Sequence, residues 1–212
     1  MRFVQSFARQ MLAGITVLAV FTVLLGIGYP AAVWAISRLD THTAEGSALR
    51  TADGCVVGSA LIGVDPQVPV GDPDPYFHPR VTGSAADLDA FAPGDPSAAL
   101  PTNLGPSSEV LAAFVQQRRA FVAERESIDP ADVPVDAVTG SGSGVDPHIS
   151  PAYAAVQVDR VARVNGMTVE SVQALVREHT EGPQYGVLGA PRVGVPELNV
   201  ALGLTPPACT TE

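Results

Sequence analysis

Met11 to Ile36 reads MLAGITVLAVFTVLLGIGYPAAVWAI, and no charged residue lies between Arg9 and Arg38. A hydrocarbon core about 30 Å thick needs about 20 apolar residues of helix to cross it, so this run spans with tilt to spare. Gly14, Gly26, Gly28 and Pro30 do not disqualify it, because spanning helices tolerate both residue types. Pro30 is expected to kink the distal end. Tyr29 and Trp34 fall near that end, where aromatic rings favour the headgroup layer. A secretory signal peptide also runs from basic to apolar to small residues, but its apolar region is about 7–15 residues long. This run is longer, so a retained anchor is expected.

Charge sets the orientation. Arg2 and Arg9 precede the span with no acid beside them, whereas Arg38 is followed by Asp40 and a long acidic stretch. Lys and Arg near span ends favour the cytoplasmic face. The expectation is a single-pass cell-membrane protein: residues 1–10 a cytoplasmic N-terminus, 11–36 a transmembrane helix, and 37–212 one extracytoplasmic soluble domain.

The chain of 212 residues has 12 basic residues, all arginine, and 22 acidic ones. Beyond residue 38, nine arginines face all 22 acids, a net of −13. Such a surface repels nucleic acid and anionic lipid. The absence of lysine excludes a P-loop, a protein-kinase site and Schiff-base chemistry. Cys55 and Cys209 are the only cysteines. An exported compartment permits a bridge between them, which two distant positions do not establish. No Cys/His metal spacing exists, and no metal site is expected.

After the anchor, Ser37 to Ala52 reads as a polar connector. Cys55 to Val64 reads as strand or hairpin material. Asp65 to Pro79 is a Pro/Asp/Gly loop carrying Tyr76 and Phe77, which either fold back onto the core or face a partner. Val81 to Pro106 is a long small-residue loop. A helix opens at Pro106 or Ser107, with Val110, Leu111, Phe114, Val115, Phe121 and Val122 on one face and the Arg118 stem lying along it. Asp129-Pro130 closes it, and Val133 to Val138 reads as a short edge strand. Ser150-Pro151 opens a helix that stops at Asn165-Gly166. Thr168 caps another that ends at Gly182-Pro183. A hairpin or loop plus strand over Tyr185 to Val195 and a short apolar element over Leu198 to Leu204 complete an α+β domain.

The densest signal for a site is Ser141 to Ser150. Successive Gly and Ser residues form backbone nests that bind anions, and a helix N-terminus follows directly. Asp146 and His148 lie within it, but Gly142 takes the serine position of a nucleophile elbow after Gly140. A tight polar turn whose hydroxyls satisfy backbone groups accounts for the same residues. No catalytic residue is expected. Helix, Asn165-Gly166-Met167-Thr168, helix also has the form of a DNA-reading helix-turn-helix; the acidity and the lack of lysine exclude nucleic acid as a partner. His42, His78, His148 and His179 are isolated from one another and from paired carboxylates at ligand spacing, so each reads as a surface or hydrogen-bonded histidine rather than a metal ligand.

Taken in order, these stretches resemble one family, the C subunit of the Kdp ATP-driven potassium uptake system. A single N-terminal span ends in Tyr29-Pro30. Gly58 to Gly63 is similar to GSxLIGQ, with Val64 at the glutamine. Tyr76 to Arg80 is similar to YFxxRPS, with Val81-Thr82 following. Asn103 to Pro106 is NLGP, and Val138 to Ser150 is similar to VTxSGSGxDPHIS. Arg160 to Gly166 resembles RVAxxRG with Asn165 at the second arginine, and Gly189 to Val195 resembles GxPRVNV with Gly194 at the asparagine.

The resemblance implies a non-catalytic accessory subunit of a P-type ATPase complex, with an ATP-hydrolysing subunit, a potassium-channel-like subunit and the membrane as partners. It also implies a role as catalytic chaperone raising the nucleotide affinity of the hydrolysing subunit. ATP is then met through the complex, with Ser141, Ser143, Asp146, His148 and Ser150 as nucleotide-contact candidates. Tyr76, Phe77, Arg80, Asn103 and Arg160 are candidates for partner contact. Cytoplasmic ATP conflicts with an exported domain, which favours a scaffold that caps the external potassium entrance. A stand-alone exported binding or hydrolytic domain is the alternative.

Overall fold

The computed structural model describes residues 2–69, 71–84, 86–92, 96–97 and 100–204. They fall into two units, Met1–Ser47 and Ala48–Glu212. In the first, helix α1 (Arg2–Val23) passes through a π-helical turn at Leu24–Gly28 into α2 (Tyr29–Ser37). The perturbation expected at Pro30 takes the form of this turn. Proline lacks an N–H and its ring collides with the carbonyl four residues back. Ahead of it the ladder widens, and the Tyr29 N–H donates to Leu24, five residues back. Arg2–Ser37 is one 36-residue apolar helix, long enough to cross a membrane, with none of its most apolar stretch buried. At its end the Arg38 guanidinium lies 5.7 Å from the Trp34 ring centroid and bonds Glu45 at 2.9 Å. Asp40 caps a short helix α3 (Thr41–Ala44) by accepting from the Thr43 N–H.

In the second unit, β1 (Ala48–Arg50) pairs antiparallel with β2 (Val56–Ser59), Leu49 opposite Gly58, with an irregularity after Leu49. The supposed connector 37–52 therefore contains α3 and β1. Cys55 is buried, and Cys209 lies outside the described residues, as does the tail after Leu204.

Helix α4 (Glu109–Glu126) starts at Ser108, whose Oγ accepts from the Leu111 N–H, and ends at Ser127 in the left-handed conformation. A 3₁₀ turn (Pro130–Asp132) leads to α5 (Val135–Val138). Here the edge-strand expectation fails. Pro134 stands in extended backbone at the N-cap, a position that favours a helix start as readily as an edge. The helical turn then buries Ala137 and Val138, and burial outweighs β-branched propensity.

The remainder is a β–α–α–β–β–α run: β3 (His148–Ile149), α6 (Pro151–Asn165), α7 (Val169–Glu178), β4 (Thr180–Glu181), β5 (Arg192–Gly194) and α8 (Val195–Ala201). The caps fall as the sequence implies: Ser150 for α6, Gly166 in the left-handed conformation at its end, Thr168 for α7. Helix α7 stops short of Gly182-Pro183 because Thr180 and Glu181 join a sheet, ordered β3-β5-β4 and antiparallel throughout. Val161, Val172, Val193 and Leu198 bring α6, α7, β5 and α8 into one core with Phe77 and Tyr153. The helix pair with the form of a DNA-reading motif is a packing unit. Chain and fold are α+β, behind one candidate membrane helix.

Candidate functional site

The Ser141–Ser150 loop is closed by its own side chains. Ser141 is 4% exposed, and its Oγ accepts from the backbone N–H groups of Ser143 (3.2 Å), Gly144 (2.9 Å) and Asp146 (3.2 Å). Ser143 Oγ accepts from the Val145 N–H, and Asp146 from the His148 N–H. Ser150 accepts from Tyr153 at the head of α6 and gives its own N–H and O–H to Asp136 at 2.7 and 2.9 Å. The N–H groups of Ser143, Gly144, Val145, Asp146 and His148 are therefore turned onto side-chain oxygens within the loop. Among the described residues, no hydrogen bond joins the His148 ring to Ser141, Ser143 or Ser150; the Ser150 hydroxyl is taken by Asp136.

A second loop packs on the first through glycine. Gly63 donates its N–H to the Val145 carbonyl at 2.8 Å. A Cβ at Gly63 would strike the Asp146 carbonyl oxygen and stand 2.9 Å from the Pro147 Cα. Only a residue without Cβ allows this approach, which explains a glycine at the end of the Gly58–Gly63 motif. Thr82 closes the other side, donating to the Gly144 carbonyl at 3.0 Å.

The Tyr76–Arg80 segment is held from elsewhere in the chain. Asn199 on α8 accepts from the Phe77 N–H (2.8 Å) and donates to the Phe77 carbonyl (2.9 Å). Gln157 on α6 does the same for His78, at 2.8 and 3.2 Å. Asn165 donates to the Pro75 carbonyl at 2.9 Å. Two amide side chains thus pair the backbone as a neighbouring strand would. Arg80 then reaches the Ser-rich loop, donating to the Gly140 carbonyl at 2.6 Å and lying 3.4 Å from Asp146.

Beneath this segment lies a buried ionic network. Arg160 binds Glu126 at 2.9 Å and Asp74 at 3.2 Å, and donates to the carbonyls of Asp74 and Tyr76. Glu126 also takes Arg125 at 2.6 Å, and Arg125 bonds the Tyr153 hydroxyl at 3.2 Å. His78 stands between two carboxylates, Nδ1 2.7 Å from Asp65 and Nε2 2.7 Å from Asp74. Burial pushes the Asp74 carboxyl up; the hydrogen bond and charge of His78, with Arg160 and the Tyr76 N–H, outweigh it and hold that carboxyl below its ordinary value. Burial raises the Tyr153 hydroxyl, against the pull of Arg125.

Arg118, expected to lay its stem along an apolar face, is 2% exposed. It donates to the carbonyls of Ala90, Thr82 and Val138. That pins described parts of the long loop after Val81, as does Phe91, whose ring centroid is 4.9 Å from that of Phe121.

The structure brings Arg80, Ser141, Ser143, Asp146 and His148 together, sets Ser150 against Asp136, and joins Arg160 to the Tyr76 carbonyl. Phe77 and Arg160 are 0% and 4% exposed, so both are interior residues in this fold; the apolar ring and the ion partners draw them in. Tyr76 and Arg80 are half-buried, and Asn103 is exposed in the left-handed conformation at φ 52°. His78 is a hydrogen-bonded histidine, its carboxylate partners 13 and 4 residues away in sequence. Among the described residues, no group of three or more His, Cys, Asp or Glu is arranged to hold a metal ion. Gln157, Asn199 and Glu126 have no place in the sequence reading. No local pattern marks them, since each acts on backbone or charge far along the chain.

Comparison with known proteins follows the same span. The model of a family described as KdpC, K+-transporting ATPase, c chain, matches residues 11–203. A potassium-transporting ATPase KdpC subunit of Kineococcus radiotolerans is 44% identical over 194 residues, 92% of this chain and 93% of that protein. The subunit of the same description from Mycobacterium tuberculosis is 41% identical over 196 residues, 92% of this chain and 97% of that one. One from Methylococcus capsulatus is 42% identical over 185 residues, 87% and 92% of the two chains.

Proposed function

The chain belongs to the family of K+-transporting ATPase c chains, and from that premise we propose that it is a non-catalytic accessory subunit that assembles and steadies the potassium-transporting complex. The N-terminal helix anchors it in the cell membrane, N-terminus in the cytoplasm. The domain stands outside, against the potassium-channel-like and ATP-hydrolysing subunits, and caps the external entrance for potassium. The observation that carries this reading is the commitment of polar groups: the N–H groups of Ser143 to Asp146, His148 and Ser150 and the Arg160 network are engaged within the domain. A domain braced in this way suits scaffolding better than turnover. The net of −13 beyond residue 38 supports a modest concentration of cations near the entrance.

Co-purification is the test. A tagged chain should bring down the two larger subunits and show no hydrolysis alone; isolation as a lone ligand-binding protein would favour the stand-alone alternative. Neutralising exposed domain acids should weaken uptake at low potassium, and an unchanged apparent affinity removes the cation role.

A chaperone role in nucleotide binding is the second reading. Ser143 is exposed and His148 half-buried, so these two present polar atoms at the loop surface. ATP titration of the hydrolysing subunit with and without this chain tests it. An unchanged nucleotide affinity ends it.

A further inference from the structure

We propose that His78 is a proton-operated latch for the strap Asp65–Pro69. The strap lines a cavity of about 540 Å³ together with Phe121, Val122 and Arg125 of α4. Among the described residues, its hydrogen bond to a distant part of the domain is that of Asp65 to His78. Its others are local: Gln67 donates to the carbonyl and carboxylate of Asp65, and Asp72 donates to the Pro69 carbonyl.

The geometry fixes the proton count. A neutral imidazole carries one N–H, and only the imidazolium donates from both nitrogens. Each His78 nitrogen lies 2.7 Å from a carboxylate oxygen, Asp65 on one side and Asp74 on the other. Two ionised carboxylates at that distance need two N–H donors. When the imidazolium loses one proton to solvent, one nitrogen presents a lone pair to a carboxylate, and one contact breaks. The Asp74 contact survives, because Arg160 and the Tyr76 N–H also hold that carboxylate. Among the described residues, the Asp65 carboxylate has Gln67 alone besides His78, so the strap is the part released.

The other charged and titratable groups do not replace the latch. Asp72 on the same loop, Arg118 and Arg125 from α4, and Tyr153 from α6 line the cavity that His78 enters. Glu126 is engaged by Arg125 and Arg160. The His78 backbone is fixed by Gln157, so the ring stays in place while the strap moves. The inference stands whichever face of the membrane carries the domain.

The test uses the full-length chain in detergent, ¹⁵N-labelled at histidine, from about pH 5 to about pH 9, the span where histidine charge changes. The His78 signals are assigned by H78Q or, should that variant not fold, by elimination with H42Q, H148Q and H179Q. Both His78 nitrogens should be protonated at the acid end. In a second, uniformly ¹⁵N-labelled sample, the heteronuclear NOE of the Gln67 and Val68 amides should fall as the second proton leaves, the mark of a strap set free. In D65N the side-chain amide donates to a neutral Nδ1, so closure should no longer depend on pH. A singly protonated ring with the strap closed overturns the proposal. So does an unchanged NOE across the transition, or a D65N strap that opens as the wild type does.

Discussion

Two polar loops meet at Arg80 and are held in opposite ways. Ser141–Ser150 is tied by its own hydroxyls and carboxylate, over separations of two to five residues. Tyr76–His78 is tied by Gln157 and Asn199, 79 and 122 residues away. The first can form as soon as the chain turns. The second exists only once α6 and α8 have docked, so it reports on the whole domain. The two loops should therefore respond differently to the loss of a single side chain.

The largest effect is expected at Arg160. R160L leaves Glu126 and Asp74 buried without their shared cation, and breaking a buried pair costs about 3–5 kcal/mol. The domain should melt far below wild type by circular dichroism; a small shift would mean that the network contributes little. Q157L strips partners from the N–H and carbonyl of His78, at about 1–3 kcal/mol for each buried group left unpaired. Amide exchange should rise at 76–78 and leave the Ser-rich loop protected; equal loss in both loops would erase the distinction between them. S141A removes one acceptor from three N–H groups, for about 1–3 kcal/mol in all, with increased exchange confined to 143–146.

A smaller effect comes from Asp74. Its carboxyl lies below its ordinary value in the folded domain and returns to that value on unfolding. The unfolded chain then binds more protons in between. The stabilisation is full above about pH 4 and is lost as pH falls through the lower folded value. Urea midpoints between about pH 5 and about pH 3 should fall less steeply in D74N than in wild type. Identical slopes would place the acid sensitivity elsewhere. The smallest effect belongs to the surface pair Arg192–Glu181, 2.6 Å apart with Glu181 57% exposed, where E181Q should change stability by less than about 1 kcal/mol.

The same contrast explains what could be read from the sequence. The apolar run, Ser150-Pro151, Thr168 and Asn165-Gly166 are local signals whose cause lies within a few residues. Each gave its element, though the start of α4 fell at Ser108. The Gly58–Gly63 and Ser141–Ser150 motifs were visible as separate pieces. Their union depends on the absence of a Cβ at Gly63, a contact no spacing reveals. Phe77 takes the first of its two readings and folds onto the core, and Arg160 is buried with its ion partners; a long-range partner is what decides burial at both, and motif membership does not reveal it. His78 looked isolated because its carboxylates approach through a folded loop. Val135–Val138 was misread because a proline-led β-branched stretch fits an edge strand or a helix start equally well until burial chooses.

The central claim is an accessory subunit whose domain stands on the side of the membrane away from ATP. Val187 is 79% exposed, which makes V187C a reporter of that side. Intact cells carrying the complex would be treated with a membrane-impermeant maleimide and compared with lysed cells and with the parent chain. Labelling of V187C in intact cells is the predicted result. Labelling only after lysis would put the domain beside ATP, contradict the scaffold reading, and leave the nucleotide role as the better account.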